Sequence, residues 1–427
     1  MQTDLISLFE PAKPERITAT VNQKPGPEWH QPPIALTDQV SVLLEQNAPV
    51  AIGVSGGKDG SVAASVTLAY LNAIGHTGPR LLIHSDLGRA EWKDSGDICG
   101  KLSTRLKTEL VVVRRSAGDM VDRWLSRWAS NVTRYSDLQC VKLILPWSTP
   151  SMRFCTSELK SAIIARYLTN RFRGQQIISV SGIRRQESAN RAKKPVSVAN
   201  KLLTNKSRQT SGIDWNPVIE FKEDDVWATH HQQQLPIHPA YSVYGSSRVS
   251  CGFCIMAKEA DLQASARAED NHDLLREMVE LEITSSFSFQ SDRWLGEVRP
   301  DLLNGQQQAG IIGAKQAARQ REQLEADIPS HLLFTDGYPE YLPTYSEAHQ
   351  LGQIRQAIGE LMGIEVAYTE AEQIQGRYEC LYRLGRLAAA RKAAKRLDEG
   401  PDSKKSPVKA IQQSLFFGCT ASIAAAA

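Results

Sequence analysis

The chain has 427 residues, of which 41% are hydrophobic and 23% are charged, and its formal net charge is +3. This composition is typical of a globular protein, and the length predicts two domains or one large α/β domain with a helical addition. No apolar stretch is long enough to span a membrane, no signal-peptide pattern is present, and seven cysteines, an odd number, argue against a disulfide framework. We therefore expect a cytoplasmic protein without a membrane partner.

Short apolar runs alternate with helical patterns from Val50 onward. This alternation predicts right-handed βαβ units and an α/β fold with a mostly parallel, doubly wound sheet. Ligands of such a sheet bind at the carboxyl ends of its strands. The strands are predicted at Val50–Val54, Arg80–His84, Glu109–Val113 and Gln176–Ser181, and the helices at 34–48, Ser61–Ile74, Trp92–Leu106, Asp119–Ser130 and Ser157–Phe172.

A glycine-rich loop follows the first predicted strand. Adjacent glycines let the backbone approach an anion closely, and the N–H groups that open the next helix then face a phosphate. Lys58 adds a mobile positive charge to the loop. An ordinary glycine-rich turn is the alternative interpretation. The loop and the start of its helix read Ser55, Gly56, Gly57, Lys58, Asp59, Gly60 and Ser61.

Two further blocks follow predicted strands and therefore belong to the same edge of the sheet. Asp86 and Gly88 follow the second strand, where an aspartate could equally serve as a helix cap. Gly182 follows the fourth strand and precedes three arginines, Arg184, Arg185 and Arg191. An arginine fork binds phosphate or sulfate through two parallel hydrogen bonds, so this block indicates an anion site; a solvated face is the alternative.

These blocks, in this order, resemble a known family. The loop is similar to the SGGKDS loop of the ATP-pyrophosphatases, the PP-loop (adenine nucleotide alpha hydrolase-like) superfamily. The arginine block, with Asn216-Pro217 and Asp225-Val226-Trp227 downstream, resembles the phosphoadenosine phosphosulfate reductase branch over about residues 45–257. The resemblance implies an adenine nucleotide such as ATP with Mg²⁺, catalytic roles for Lys58, Asp59, Arg184 and Arg185, and nucleotide binding by residues 55–61, Asp86, Gly88, Gly182 and Arg191.

The cysteines of this chain also resemble those of the family. Iron–sulfur reductases of this family hold a [4Fe-4S] cluster with an upstream Cys-Cys pair and a downstream CxxC. Here the downstream motif is Cys251 to Cys254, whereas the upstream pair reads Phe154-Cys155 and lacks one ligand. Cys140 is the best replacement by proximity in sequence. Thiolates also suit zinc, and a redox pair or metal-free buried thiols are further alternatives.

Two departures from the family decide the expected function. Gly60 replaces the serine of the loop, and Cys419 lacks the glutamate and histidine that flank the attacking cysteine of sulfonucleotide reductases. We therefore expect an ATP-pyrophosphatase that adenylates a substrate in sulfur transfer, similar to the reductase-like component of DNA phosphorothioation systems. A phosphoadenylyl-sulfate or adenylyl-sulfate reductase is one alternative, and a non-catalytic nucleotide-binding regulatory module is another.

The sequence also predicts a division into four parts. Residues 1–33 hold six prolines and are expected to form an extended arm, residues 34–257 form the nucleotide-binding domain with the cysteine site, and residues 258–397 form a helical region. Residues 398–427 form a polar, low-complexity tail. A basic amphipathic helix predicts either a nucleic-acid or acidic partner or a solvated face. Its cations are Arg383, Arg386, Arg391, Lys392, Lys395 and Arg396, and they run alongside Leu381, Leu384 and Leu387. A sulfur-donor protein is the remaining candidate partner.

Overall fold

The computed structural model describes residues 29–398 with the exceptions of Asp292 and Asp336. Most of the predicted arm, nearly all of the tail and Cys419 lie outside this range. The described residues form two compact units. Unit 1 contains the residues up to Trp124, Trp147–Glu282 and Ser288–Gln308, and unit 2 contains Leu125–Pro146, Ile283–Phe287 and the residues from Ala309 onward. The predicted domain boundaries stay a prediction.

A six-stranded sheet organises unit 1. Its order is β3-β2-β1-β4-β6-β5, and every neighbouring pair is parallel except β5 and β6, which are antiparallel. The predicted mostly parallel α/β fold is therefore confirmed. The strands are β1 Val50–Gly53, β2 Arg80–Asp86, β3 Leu110–Arg114, β4 Gln176–Val180, β5 Ser197–Ala199 and β6 Ser211–Trp215.

Helices flank the sheet and extend into unit 2. The segment predicted as one helix over 157–172 starts with a helical turn at Phe154–Thr156 and a π-helical turn at Ser157–Ser161 before α5 begins. The helices are α1 Asp38–Glu45, α2 Lys58–Ala73, α3 Ser95–Leu106, α4 Met120–Ser136, α5 Ala162–Arg171, α6 Ala189–Ala192, α7 Glu223–Gln233, α8 Pro239–Ser242, α9 Glu259–Ala266, α10 His272–Ser285, α11 Gly305–Ala326, α12 Tyr345–Met362 and α13 Ala371–Asp398.

Alternate residues of each central strand face opposite layers of helices, as the two-residue repeat of a strand requires. Val50 and Ile52 of β1 pack into a core that includes residues of α1, α2, α3 and α7. Ala51 of β1 packs on the other face with Leu168 of α5. Because both faces are covered, β1 is entirely apolar and β2 contains the apolar run 81–83, which made these strands recognisable in the sequence.

The order of the strands reverses direction between β1 and β4, because β2 and β3 lie on one side of β1 while β4 and β6 lie on the other. At such a switch point the two loops that leave the strands diverge and open a crevice. The loop after β1 is the glycine-rich segment 54–57, and the loop after β4 begins at Ser181 and Gly182. The topology therefore brings the two predicted anion-binding loops together.

Unit 2 is helical, and its helices α12 and α13 pack against each other. Arg355 of α12 is fully buried, and its guanidinium donates to the backbone carbonyls of Tyr135, Ser136, Ala367 and Tyr368 at 2.7–3.2 Å. One arginine thus ties the end of α4 to the connection between α12 and α13. None of the described helices is both long and apolar enough to cross a membrane.

Candidate functional site

The glycine-rich loop makes the turn that the sequence predicted. Gly56 has a φ of +76°, a conformation that a side chain disfavours, and Gly57 is the N-cap of α2. Helix α2 begins at Lys58, three residues before the predicted start at Ser61. The first N–H groups of a helix have no partner within it, so this turn presents backbone donors and the positive end of the helix dipole.

Two side chains that are distant in sequence hold the first turn of α2, and a third lies beside Gly56. The hydroxyl of Tyr241 accepts a hydrogen bond from the Lys58 amide at 3.1 Å and another from the Val249 amide at 3.1 Å. His230 Nε2 donates to the Lys58 carbonyl at 3.0 Å. Burial lowers the pKa of His230 to about 4, so the ring is neutral near pH 7. His238 is buried beside Gly56, where an added Cβ would lie 3.0 Å from its Cδ2.

The ammonium of Lys58 is enclosed, with only 4% of the side chain exposed. Its Nζ donates to the Ser247 carbonyl at 2.9 Å, lies 3.3 Å from a carboxylate oxygen of Glu223, and lies 5.0 Å from the centre of the Tyr241 ring. Burial alone lowers the pKa of Lys58, but Tyr241, Asp59 and Glu223 outweigh burial and raise it above its usual value. Lys58 is therefore a charged donor held at the start of α2.

Asp59 and the loop after β4 are in direct contact. The Arg184 Nε donates to an Asp59 carboxylate oxygen at 2.6 Å, and only 4% of the arginine side chain is exposed. A Cβ placed on Gly182 would lie 2.4 Å from the Asp59 carbonyl oxygen and 2.7 Å from the Gly60 amide nitrogen. Only glycine allows this approach of backbone to backbone, so Gly182 sets the distance between the two loops.

Gln186 extends this contact to α7. Its side-chain oxygen accepts hydrogen bonds from Arg184 Nη1 at 3.1 Å and from the Glu223 amide at 2.8 Å. The first turn of α7 is therefore tied to the loop after β4. Glu223 of this turn also approaches the Lys58 ammonium. Through these contacts the structure brings together four residues of the predicted set, Lys58, Asp59, Gly182 and Arg184.

The other two arginines lie at the margin of this cluster and are more exposed. Arg185 pairs with Glu220 and donates through its backbone amide to the Ile219 carbonyl. Arg191 pairs with Glu187, four residues earlier. These carboxylates neutralise part of the charge on Arg185 and Arg191. Arg184, which pairs with Asp59, is the arginine that the structure brings to the glycine-rich loop. The assignment of Arg185 and Arg191 to catalysis or nucleotide binding stays a prediction.

Asp86 shapes the turn after β2. One carboxylate oxygen accepts from the Gly88 amide at 2.7 Å, and the other accepts from Arg114 Nε at 3.0 Å. Although burial opposes it, the contact with Arg114 lowers the pKa of Asp86. Gly88 has a φ of +68°, and the space beside it is filled by Asp119. These contacts stabilise the turn, and nucleotide contact by Asp86 and Gly88 stays a prediction.

Three of the four predicted cysteine ligands, the upstream Cys155 and the downstream Cys251 and Cys254, are in unit 1. Cys155, Cys251 and Cys254 are half-buried, and they lie near enough for Cys254 and Cys155 to influence Cys251 electrostatically. Burial raises the pKa of the Cys251 thiol, and Lys160 opposes that rise. Cys140 is buried in unit 2, where Asn131 Nδ2 is 3.7 Å from its sulfur, and its role as a ligand stays a prediction. Across the described ranges, no three His, Cys, Asp or Glu side chains are arranged to hold a metal.

Glu91 joins the cysteine segment to the sheet. A backbone bridge links Glu91 with Cys251, and the Gly252 amide donates to the Ala90 carbonyl at 2.8 Å. The Glu91 carboxylate accepts from His84 Nε2 at 3.0 Å, while His84 Nδ1 is 3.1 Å from the Val54 carbonyl. Both ring nitrogens of His84 therefore face acceptors, which requires the protonated ring.

The ion pair between His84 and Glu91 predicts that the stability of the protein depends on pH. Burial lowers the pKa of His84, but hydrogen bonds with Cys99 and Glu91 raise it to about 10. Because the pKa of an unfolded histidine is near 6.5, the stabilisation is complete below about pH 6.5 and is lost as the pH rises toward 10. We expect urea midpoints to fall between pH 6.5 and 10 more steeply for the wild type than for His84→Gln. Equal slopes for the two proteins would contradict the assignment.

The structure shows what a side chain at position 60 would contact. A Cβ at this position would lie 3.4 Å from the Gly53 carbonyl oxygen and 3.8 Å from Val54 Cα, which are ordinary contact distances. The hydroxyl of Ser61 is already used, because it donates to the Gly57 carbonyl at 3.2 Å. A serine at position 60 therefore fits, and its absence removes one hydroxyl from the start of α2.

Two substitutions at Gly60 separate the effect of the Cβ from that of the hydroxyl. Gly60→Ala is expected to raise the free energy of unfolding by about 0.5–1 kcal/mol, because glycine is unfavourable inside a helix. Gly60→Ser is expected to bind ATP more tightly than Gly60→Ala, as measured by calorimetry. Destabilisation of both variants in urea titrations would show that the contact with Gly53 does not tolerate a Cβ.

The fold and this cluster together define an α/β protein in which a glycine-rich loop and an arginine-bearing loop meet at the switch point of a parallel sheet. Residues 49–255 match the phosphoadenosine phosphosulfate reductase domain, and this part of the chain belongs to that family. Membership supports an enzyme of adenine-nucleotide-dependent sulfur-transfer chemistry.

No curated protein matches the chain, whereas 24 chains of solved structures do. Among solved structures, the chain is similar to the U34-tRNA thiolase NcsA from Methanococcus maripaludis with its [4Fe-4S] cluster. The sequence identity is 16%, the match covers 77% of this chain and 88% of that chain, and the TM-score is 0.33.

Proposed function

We propose that the chain binds ATP in the crevice between β1 and β4 and uses it to adenylate a substrate oxygen, which sulfur then displaces. The carrying observation is the convergence of the first turn of α2, the enclosed Lys58 ammonium and the Asp59–Arg184 pair at the switch point. Backbone donors, a lysine and an arginine at one helix N-terminus are the groups that stabilise charge on a nucleotide's phosphates.

The proposed reaction has two displacements. In the first, a substrate oxygen attacks the α-phosphorus of ATP, the bond to the bridging oxygen breaks, and pyrophosphate leaves. In the second, a sulfur nucleophile forms a bond to the substrate carbon or phosphorus, and AMP departs with the original oxygen. AMP is a far better leaving group than hydroxide, so the first step prepares the second. Lys58 and Arg184 would balance the charge that develops on the phosphates.

Mg²⁺ and an iron–sulfur cluster are the cofactors that this proposal includes. Mg²⁺ is usually bound through one or two carboxylates together with substrate phosphates, and Asp59 and Glu223 are the nearest carboxylates to Lys58. When bound, it would neutralise phosphate charge. Cys155, Cys251 and Cys254 supply thiolates for a cluster, but as described they do not form a metal-holding set, so no step is assigned to a cluster.

Iron content provides a test of the cluster that does not depend on activity. Protein prepared without oxygen is expected to contain iron and acid-labile sulfide and to absorb visible light, as thiolate-bound iron–sulfur centres do. Cys254→Ser should lose most of the iron, whereas Cys99→Ser, which changes a buried cysteine outside the motif, should retain it. An iron-free, colourless wild-type preparation would remove the cluster from the proposal.

Product analysis distinguishes the proposed function from its alternatives. Anaerobic protein is incubated separately with labelled ATP, phosphoadenylyl sulfate and adenylyl sulfate, together with candidate substrates. Release of pyrophosphate from ATP supports adenylation, whereas release of sulfite from a sulfonucleotide identifies a reductase. Binding of ATP without turnover of any nucleotide identifies the regulatory module. The absence of both binding and turnover overturns the nucleotide site.

A further inference from the structure

Residues 246–250 lie between α8 and the CxxC motif and contact the start of α2; we call them the strap. The Ser247 carbonyl accepts a hydrogen bond from the Lys58 ammonium at 2.9 Å. The Val249 carbonyl oxygen would lie 3.6 Å from a Cβ added to Gly57. The strap therefore touches both the lysine and the backbone of the glycine-rich loop.

Asp261 of α9 holds the strap through one of these residues. Its side chain is buried, and Oδ1 accepts a hydrogen bond from the Ser247 amide at 2.7 Å and lies 3.3 Å from the Ser246 hydroxyl. Oδ2 accepts from the Ser247 hydroxyl at 2.9 Å. Hydrogen bonds to an ionised carboxylate are shorter and stronger than those between neutral groups. Asp261 thus fixes the amide and the hydroxyl of the residue whose carbonyl binds Lys58.

The Lys58 ammonium depends on such support because it ends a flexible four-carbon chain whose three donors can rotate. Glu223, its carboxylate partner at 3.3 Å, has a half-exposed side chain, so water competes for that contact. The Ser247 carbonyl, in contrast, belongs to a backbone that a buried carboxylate fixes. The strap is therefore the firmer of the two contacts that place the ammonium.

We infer that Asp261 is a positioning residue for the proposed adenylation, since it fixes the strap and the strap fixes the Lys58 ammonium at the start of α2. The inference rests on the proposed function, in which Lys58 balances charge on the phosphates of ATP. A donor that is aimed before the reaction costs no reorganisation in the transition state. Loss of the Asp261 carboxylate leaves Lys58 in the chain but no longer holds it in place.

The reactivity of Lys58 toward acetic anhydride, followed by mass spectrometry, tests this positioning without any nucleotide. The wild-type amine should react slowly, because its side chain is enclosed and its pKa is raised. Asp261→Ala should label Lys58 at least about tenfold faster, since the lost hydrogen bonds to a charged group make local opening easier. The exposed Lys101 should react equally in both proteins and serves as the internal standard.

Turnover of ATP provides the second readout. Asp261→Ala should lower kcat for pyrophosphate release at least about tenfold, with a smaller change in KM, because a misplaced donor mainly affects the transition state. Asp261→Asn should recover most of kcat and most of the protection of Lys58, since its amide oxygen still accepts from the Ser247 amide. A purely structural role for the carboxylate would not produce this split between kcat and KM.

Two further variants complete the test. Glu259→Ala removes another carboxylate from the first turn of α9, where it faces Arg293, and should change neither labelling nor turnover. Ser247→Ala removes only the hydroxyl that donates to Oδ2, so its effects should lie between those of the wild type and Asp261→Ala. It decides the question if urea unfolding shows that Asp261→Ala is not folded.

The two readouts separate this inference from the proposed function. If the wild type releases no pyrophosphate, the proposed function fails, and the labelling of Lys58 alone decides whether Asp261 positions it. The inference is overturned if folded Asp261→Ala labels Lys58 at the wild-type rate. It is equally overturned if this variant retains the wild-type kcat while the wild type turns over ATP.

Discussion

Replacing Lys58 with alanine is expected to lower ATP turnover by at least about 100-fold, because removing one preorganised donor to developing charge typically costs that much. The side chain is almost fully enclosed, and its ammonium is held by the Ser247 carbonyl and Glu223 at the start of α2. No other lysine on the glycine-rich loop can replace it. Pyrophosphate release measures the loss, and calorimetry with ATP shows whether binding is lost as well.

Two controls make the Lys58 result interpretable. Lys101→Ala removes an exposed lysine that pairs with Asp97 on α3, and it should leave turnover unchanged. Urea unfolding shows whether Lys58→Ala is folded. We expect it to be folded, because the contact between the Tyr241 hydroxyl and the Val249 amide does not involve the Lys58 side chain. A folded Lys58→Ala protein with wild-type kinetics would mean that the loop does not bind the phosphates.

Gly182→Ala is expected to lower the free energy of unfolding by about 3 kcal/mol, the upper end of the usual cost of overpacking. Its Cβ would lie 2.4 Å from the Asp59 carbonyl oxygen and 2.5 Å from the carbonyl carbon, and backbone atoms cannot rotate away as a side chain can. The loops after β1 and β4 must therefore separate. The Asp59–Arg184 pair would lengthen, so ATP affinity should fall together with stability.

The matched control is Gly100→Ala in α3, where nothing lies within 4 Å of an added Cβ. This variant should be as stable as the wild type or more stable, since alanine is the better helix former. If Gly182→Ala unfolded at the same urea concentration as the wild type and bound ATP equally well, the close approach of the two loops would not be required for the site.

The parts of the fold that the sequence predicted are those with strong local patterns. The four buried strands β1 to β4 are apolar runs, and all were expected at nearly the right residues. β5 and β6 were not predicted, because Ser197–Ala199 is very short and Ser211–Trp215 includes a glycine and an aspartate. The parallel order followed from alternation of strands and helices, which is a property of the whole segment and survives errors at the ends of elements.

The candidate site was predictable only in part. Lys58, Asp59, Gly182 and Arg184 are conspicuous because glycines and charges directly follow apolar strands. Tyr241, by contrast, gives no local signal of its contact with Lys58, since the hydroxyl role depends on where the chain returns. Contacts of this kind are fixed by tertiary packing and not by spacing.

The contacts around Lys58 also bear on how the chain folds. Its amide meets Tyr241 and its ammonium meets Ser247 across sequence separations of 183 and 189 residues. Such contacts give the region a high contact order, and the entropy of closing these long loops must be offset before the contacts form. We therefore expect the β1–α2–β2 segment to acquire structure before the ring of residues around Lys58 closes. An early folding intermediate would then contain β1 and β2 and still lack the proposed nucleotide site.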